Sequence, residues 1–395
     1  MTTNQIKDTV IAHRRTIHRL AELGGQEYKT RDYILEHIKK WGLPYEMVTE
    51  TAILATLDTG REGPHIALRA DMDALPVQEN PENLKGPRTC VSQQEGTCHA
   101  CGHDAHTAML LGSMEVLLEQ KDALSGTLYF CFEAGEEVGT SSRQMVEALG
   151  HRKVDTVWAI HVYSPLPSSQ IGIRDGACMA GFGGMDITVQ GKGGHGSRPD
   201  LSRNPVFAAA DIVSTLPGVF VNQLNVEKTV TFGITSIQGG ETFNVFPETA
   251  RIRGSMRFFD LEEGQKAMDL VKNTAQHMAA IHGCQVSFGR VMDHVGIPVI
   301  NSAPHAQRAR QVARDLYGDA AVPQEFPLWY ASESFSTYCR AYPGVLALLG
   351  IQNLEKGCGA EHHNERFDID EDALDMGVQV TVGYVRSLMD HGLPV

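Results

Sequence analysis

At 395 residues and 42% hydrophobic content, the chain is long enough for two or three domains with sizeable cores. Its formal net charge of −14, from 34 Lys+Arg against 48 Asp+Glu, excludes the broad basic face that a nucleic acid or an anionic membrane surface demands, and confines anion recognition to a local pocket. The eight cysteines, Cys90, Cys98, Cys101, Cys131, Cys178, Cys284, Cys339 and Cys358, follow no disulfide-framework spacing. The N-terminus has no apolar stretch of signal-peptide type, and no apolar run approaches the roughly 18–20 residues needed to span a bilayer, so a cytoplasmic protein is expected.

Apolar positions recur at helical spacing over residues 6–23, and Thr30 is placed to cap a second helix that runs to Trp41 and stops at Gly42. HIALRAD then reads as a strand leading to Asp71 and Asp73. A helix over 105–119, a strand around Tyr129, a helix over 143–149 and a strand before His161 continue an α/β alternation, which predicts a mostly parallel sheet with flanking helices. After the glycine cluster Gly181, Gly183 and Gly184 the order changes. Strand 185–190, helix 204–216, strands 229–238 and 249–259, helix 262–282 and strand 285–292 give β-α-β-β-α-β, the ferredoxin-like α+β arrangement. Helix–strand alternation resumes after Pro298. The expected organisation is a catalytic domain built from residues 1–182 and 298–395, interrupted by an inserted domain over 183–297.

The densest chemistry lies in HACGHDAH, His99 to His106, where Cys101 and His103 flank Gly102 just ahead of a helical pattern. Alone, such a pair is more often a buried thiol beside a helix-starting histidine. Three later segments change the weighting. Adjacent Glu136 and Glu137 follow the strand-like run ending at Glu133, His161 follows the apolar run from Val157 to Ile160, and His362 and His363 follow VLALLGI. Each has an ordinary reading, as solvated acid or a hydrogen-bonded core histidine. An open α/β sheet, however, gathers the carboxyl ends of its strands at one crevice, so together they converge on a metal site.

RADMDALP, HACGHDAH, EAGEEVG, WAIHVYS, GKGGHGSRP, NVFPETA and HHNERFDIDE, in this order over nearly the whole chain, resemble the signature set of the aminoacylase and carboxypeptidase-like dinuclear metallohydrolases. The nearest branch holds hippurate hydrolases, N-acyl-amino-acid amidohydrolases and auxin-conjugate hydrolases, with the cysteine motif as its mark. The resemblance implies that Cys101, His103, Glu137, His161 and His363 ligate two divalent transition-metal ions per subunit. Zn, Mn, Co and Ni are all admissible for this mixture of imidazole, carboxylate and thiolate. It further implies that Asp73 orients a ligand imidazole, that His195 polarises the scissile carbonyl, often from the other subunit of a dimer, and that Asn244 and Arg257 bind a substrate carboxylate, with Arg253 as a rival. Glu136 is assigned as general base, a metal-activated water being the nucleophile. Spacing alone leaves the exchange of Glu136 and Glu137 open.

One departure from the wider family and several from the branch stand out. Asp71 occupies a position where more distant relatives carry a ligand histidine, and Cys101 is the expected compensation. Ser334 stands where the branch more often has Asp, and Glu133 and Ala134 where it has Gln and Pro, which puts substrate identity in doubt. The implied activity is cleavage of the amide bond of an N-acyl or N-aroyl amino acid by a metal-dependent amidohydrolase, a homodimer through the inserted domain, acting on a small carboxylate-bearing substrate, with no nucleic-acid or membrane partner. The competing readings are a dipeptidase or aminopeptidase, a hydrolytic deaminase or deacetylase of an unusual amine, and a non-catalytic metal-binding protein, against which the retained Glu136 argues.

Overall fold

The computed structural model describes residues 3–324 and 326–394. They fall into two compact units: Met1–Gly176 with Ile300–Pro327 and Ser334–Val395, and Ala177–Val299 with Leu328–Glu333.

Among the described residues the first unit carries a seven-stranded sheet in the order Tyr45–Met47, Ile53–Asp58, Thr127–Glu133, His65–Asp71, Thr156–Pro167, Gly344–Gln352, Ile171–Gly172. The four strands from Thr127–Glu133 to Gly344–Gln352 run parallel, and the flanking pairings are antiparallel. The parallel strands read as near-continuous apolar runs because helices cover both faces of such a sheet. Register sets the site: Asp71 lies opposite Glu133, and Arg69 opposite Ala159, so His161 stands level with Asp71. His161 does not end its strand, as the sequence suggests, because pairing of Thr156–Pro167 with Gly344–Gln352 carries the ladder on to Pro167.

The helix His103–Glu119 is buried on nearly every side, packed between the sheet and the helices Thr3–Leu20 and Leu374–His391. Its first turn is anchored electrostatically. Arg14 Nε donates to Asp104 Oδ2 at 2.8 Å, His18 Nδ1 lies 2.8 Å from the same oxygen, and all three side chains are buried. Against the cost of burial, the Arg14 guanidinium and His18 hold the Asp104 carboxyl well below the usual carboxylate range. The second helix is Tyr28–Lys40, and Thr30 is not its cap. Thr30 sits in the first turn, where its N–H and hydroxyl both donate to the Glu22 carboxylate, at 2.8 and 3.1 Å, which supplies the capping acceptor from outside the helix.

The second unit is ferredoxin-like. Its antiparallel sheet runs in the order Val230–Gln238, Thr249–Phe258, Gly181–Gln190, Gln285–Phe288, with helices Pro205–Gln223 and Leu261–Ile281 packed on it. Ile187, Ile212, Leu216, Ile252, Phe258 and Val271 are fully buried in its core. The helices start at Asn204, which accepts from Val206 N, and Asp260, which accepts from Glu263 N. Residues 328–333 join this unit because Trp329 N donates to Cys178 O at 3.1 Å and Ala180 N lies 3.1 Å from Trp329 O, pairings that local pattern does not announce. The 19-residue helix Pro205–Gln223 is long and apolar enough to cross a bilayer by length and composition, contrary to the expectation of no such run, although Ala208, Ala209, Ile212 and Leu216 are fully buried in this core.

Replacing Arg14 by Met leaves Asp104 charged and buried without its guanidinium, and should cost about 3–5 kcal/mol of stability, read by denaturant unfolding at neutral pH. Because the folded pKa of Asp104 is depressed, the wild-type contribution is complete above the unfolded value near ~3.9 and is lost as pH falls toward the folded one. A change below about 1 kcal/mol would show that the pair anchors nothing.

Candidate metal centre

Gly102 makes the nest possible. Its φ of +94° is left-handed, and a Cβ there would lie 2.3 Å from Val162 Cγ2, so only glycine lets Cys101 turn in beside the first residue of the helix His103–Glu119. The Cys101 thiol then lies 3.6 Å from His161 Nε2. His161 Nδ1 donates to Val162 O at 2.6 Å, which places the lone pair on Nε2. His103 Nδ1 donates to Asp73 Oδ1 at 3.1 Å and likewise turns Nε2 inward. That nitrogen is buried without a hydrogen-bond partner, 3.8 Å from Glu137 Oε1, which is also buried without one. His363 Nε2 lies 3.3 Å from the same Glu137 oxygen.

Ligand-type atoms of Cys101, His103 and His161 lie within 4.8 Å of one another, and so do those of Cys101, Glu137 and His363. The five residues therefore form two overlapping triads that meet at Cys101. Buried imidazole and carboxylate atoms with no hydrogen-bond partner, aimed at one another, are what a divalent cation satisfies, and the donor set suits a first-row transition metal. Asp71, His103 and His106 form a third close group, but the Asp71 and His106 atoms are otherwise engaged. His106 Nε2 accepts from Val162 N at 2.8 Å, so its Nδ1–H donates to Asp71 Oδ1 at 2.6 Å, while Asp71 Oδ2 takes Arg69 Nη1 at 2.8 Å. Asp71 thus works as an anchor for His106 and Arg69.

The electrostatics agree with a cation-binding cluster. Burial, with His106 and His362 nearby, pushes His161 well below the usual imidazole range and keeps it neutral. Burial opposes ionisation of Glu137, but His363 and His103 still hold its carboxyl down. Burial raises the Cys101 thiol well above its ordinary value, and the Asp71 carboxylate with the Asp73 hydrogen bond raises His103 despite burial. A cation bound there would displace the protons those two groups retain.

The turn that carries Glu136 and Glu137 is held at every backbone donor. Ala134 N donates to Ser141 Oγ at 3.0 Å, Gly135 N to Glu27 Oε1 at 2.7 Å, Glu136 N to Asp73 Oδ1 at 3.1 Å and Glu137 N to Asp73 Oδ2 at 3.0 Å. A carboxylate oxygen of Glu136 accepts from Ser334 N at 2.8 Å, and Glu136 also lies within reach of His103 and Glu137. Glu27 is fully buried and was not singled out by the sequence; a lone Glu before a helix offers no signal for it. His363 reaches the cluster from a left-handed backbone, φ +65°, with its N–H on Ala100 O at 2.8 Å. Its neighbour His362 points elsewhere, half-buried, with Nε2 accepting from Ser164 N at 3.2 Å.

His195, Asn244 and Arg257 lie in the second unit. His195 is exposed on the short strand Gly194–His195, paired with Val245–Phe246. Its Nδ1 accepts from Ser197 N at 3.1 Å, which leaves the neutral ring's proton on Nε2. Asn244 adjoins it, its carbonyl accepting from Gly196 N at 2.8 Å. Arg257 is elsewhere: it pairs with Phe182 at one end of the Thr249–Phe258 ladder, whereas Thr249 at the other end pairs with Gln190, on the side of His195. Eight residues of strand put roughly 25 Å between those ends, so Arg257 and Asn244 of one copy cannot close on the same carboxylate. Arg257 stacks over the Phe182 ring at 4.7 Å, and the rival Arg253 lies 3.9 Å from Asp186.

Residues 67–387 match the family described as Peptidase family M20/M25/M40. The chain is 34% identical to "Thermostable carboxypeptidase 1" of Saccharolobus solfataricus over 94% of this chain and 93% of that protein. It is 30% identical to "IAA-amino acid hydrolase ILR1-like 4" of Arabidopsis thaliana, over 95% and 85%, and 31% identical to "N-acetylcysteine deacetylase" of Bacillus subtilis, over 94% and 94%. Among solved structures, the Bacillus subtilis YXEP protein, described as a dinuclear metal-binding peptidase from the M20 family, superposes with a TM-score of 0.82 at 27% identity, covering 98% of this chain and 99% of that one.

Asp73→Asn should weaken affinity for a divalent metal by roughly 10–100-fold, because an amide is a poorer acceptor for His103 Nδ1–H and for the two N–H groups of the turn. Calorimetric titration of the stripped protein measures it. Wild-type affinity in that variant would remove Asp73 from any role at the metal.

Proposed function

The chain belongs to peptidase family M20/M25/M40, and from that premise we propose that this metal-dependent hydrolase of amide bonds cleaves an N-acyl or N-aroyl amino acid into a carboxylic acid and an amino acid. The observation that carries the reading is the division of labour in the turn: Glu137 faces His103, His363 and the thiol, while Glu136 is tethered by Ser334 N beside them. Two divalent ions held by Cys101, His103, Glu137, His161 and His363 would supply Lewis acidity and ease deprotonation of water at the site. Glu136 then takes the proton of the attacking water and returns it to the departing amine. His195, with its proton on Nε2, donates to the carbonyl oxygen as charge develops there.

A homodimer through the second unit is part of this proposal. The outer edge of strand Val230–Gln238 has no neighbour among the described residues, and Phe207, Val221 and Ile237 are exposed on this strand and on helix Pro205–Gln223. A dimer also accommodates the separation within the second unit: His195 and Asn244 of one copy and Arg257 of the other can serve one substrate carboxylate and carbonyl. Relatives named for an amino-acid hydrolase and for N-acetylcysteine support the N-acyl class. The carboxypeptidase relative supports a peptide substrate as the second reading.

Hydrolysis of a panel of N-acyl amino acids, N-aroyl amino acids and dipeptides, with each candidate metal added to the stripped protein, tests the substrate class; preference for a free α-amino group would favour the peptidase. Glu136→Gln should keep its metal and lose roughly 10²–10⁴ in kcat, whereas Glu137→Gln should lose metal, and the reverse pair of phenotypes would exchange the two roles. Mixing His195→Ala with Glu136→Gln protomers should restore part of the activity if His195 serves the other copy. No recovery despite demonstrated subunit exchange would confine His195 to its own chain.

A further inference from the structure

We infer that Glu133, acting through Ser334, is a positioning residue for the base Glu136; the inference rests on the amide-hydrolase reading above. Glu133 ends the strand Thr127–Glu133 and is fully buried. Three donors meet its carboxylate: Arg69 Nε at 2.9 Å and Tyr338 OH at 2.8 Å on Oε2, and Ser334 Oγ at 2.6 Å on Oε1. Ser334 Oγ in turn accepts from Arg69 Nη2 at 2.8 Å, so its hydroxyl is fixed both as donor and as acceptor. The backbone N–H of this same Ser334, 198 residues away in the chain, holds Glu136 Oε1 at 2.8 Å.

The arrangement is more than neutralisation of a buried acid. One carboxylate facing one guanidinium is best served by a two-pronged pair along one edge of the fork. Arg69 instead spreads its three nitrogens over Asp71, Glu133 and Ser334. Asp71 orients His106 and lies 3.7 Å from His103 Nε2, so the fork joins the metal-ligand side of the site to the base side. Glu133 and Ser334, two positions where the sequence departs from the branch it resembles, touch each other. With its charge met by Arg69 and its oxygens by two hydroxyls, Glu133 has the environment of a residue that sets geometry. The acidic density in this turn is accordingly assigned to holding Glu136.

The test uses the metal-loaded full-length protein. Glu133→Gln preserves volume but removes the charge that Ser334 and Arg69 share; Ser334→Ala preserves the N–H but releases the hydroxyl tie. Each should lower kcat roughly 10- to 100-fold, the scale of a misplaced catalytic group, with KM within about twofold and metal content unchanged. The double variant E133Q/S334D returns one carboxylate to the reach of Arg69 Nη2 and should recover most of the lost kcat, which a merely structural role would not permit. A crystal structure of the metal-loaded E133Q protein should show the bond between Ser334 N and Glu136 broken. Unchanged kcat in both single variants overturns the inference, as does a loss that tracks lost metal or lost folding and is not rescued. If the wild type cleaves nothing in the substrate panel, the amide-substrate reading fails by itself, and an intact bond from Ser334 N to Glu136 in E133Q then overturns the positioning inference independently.

Discussion

One carboxylate ties the centre together. Asp73 accepts from His103 Nδ1 and Glu136 N on one oxygen and from Glu137 N on the other. Those donors belong to two segments more than thirty residues apart, the Cys–Gly–His nest and the acidic turn, and Asp73 itself follows a third, the strand His65–Asp71. Fixing His103 as the Nδ1–H tautomer and fixing the direction of the Glu136–Glu137 turn are therefore one event. A buried acceptor with three donors is also self-reinforcing, because any one donor lost leaves charge less well solvated and loosens the other two.

What surrounds Asp73 follows from the cost of burying charge. Asp71, Asp73, Asp104 and Glu133 are all at most 1% exposed, and an acidic cluster of this kind persists only where each member meets donors or cations. Arg14 answers Asp104 from the helix Thr3–Leu20, and Arg69 answers Asp71 and Glu133 from inside the sheet. The helix that begins at His103 and the strand that ends at Asp71 are thereby locked by ion pairs on either side of the ligands. The hydrophobic packing of sheet and helices sets the scaffold; these pairs fix its register at the site to within hydrogen-bond tolerance.

The parts of the site legible in the sequence are those whose chemistry is local. Cys101 and His103 announce themselves because a glycine stands between them, and Glu136 with Glu137 because two acids follow a strand and precede a glycine. The β-α-β-β-α-β order of the second unit is legible for the same reason, since period and turn residues are properties of short windows. Glu27, Arg14 and the backbone N–H of Ser334 are not legible: each acts across 90 to 198 residues, and nothing beside them in sequence points to the distant partner. Thr30 misleads because a carboxylate seven to eight residues away, Glu22, takes the helix N-terminus that a threonine would otherwise cap. His161 misleads because a neighbouring strand extends its ladder past the point where its own apolar run stops.

The protonation pattern of the cluster links these features to its chemistry. His161 is held neutral by burial, and Glu137 is held charged by its histidines, so both present lone pairs without adjustment. His103 and Cys101 are different: the Asp71 carboxylate raises the one and burial the other, so each retains a proton until a stronger positive charge replaces it. A divalent cation held there would do what two protons do, and it would also satisfy the buried nitrogen of His103 and oxygen of Glu137 that lack hydrogen-bond partners, which a proton on one group cannot do for both. Uptake of a cation by this group would be coupled to proton release at the two residues that flank Gly102, and the left-handed turn at that glycine brings the thiol and the imidazole close enough to share one charge.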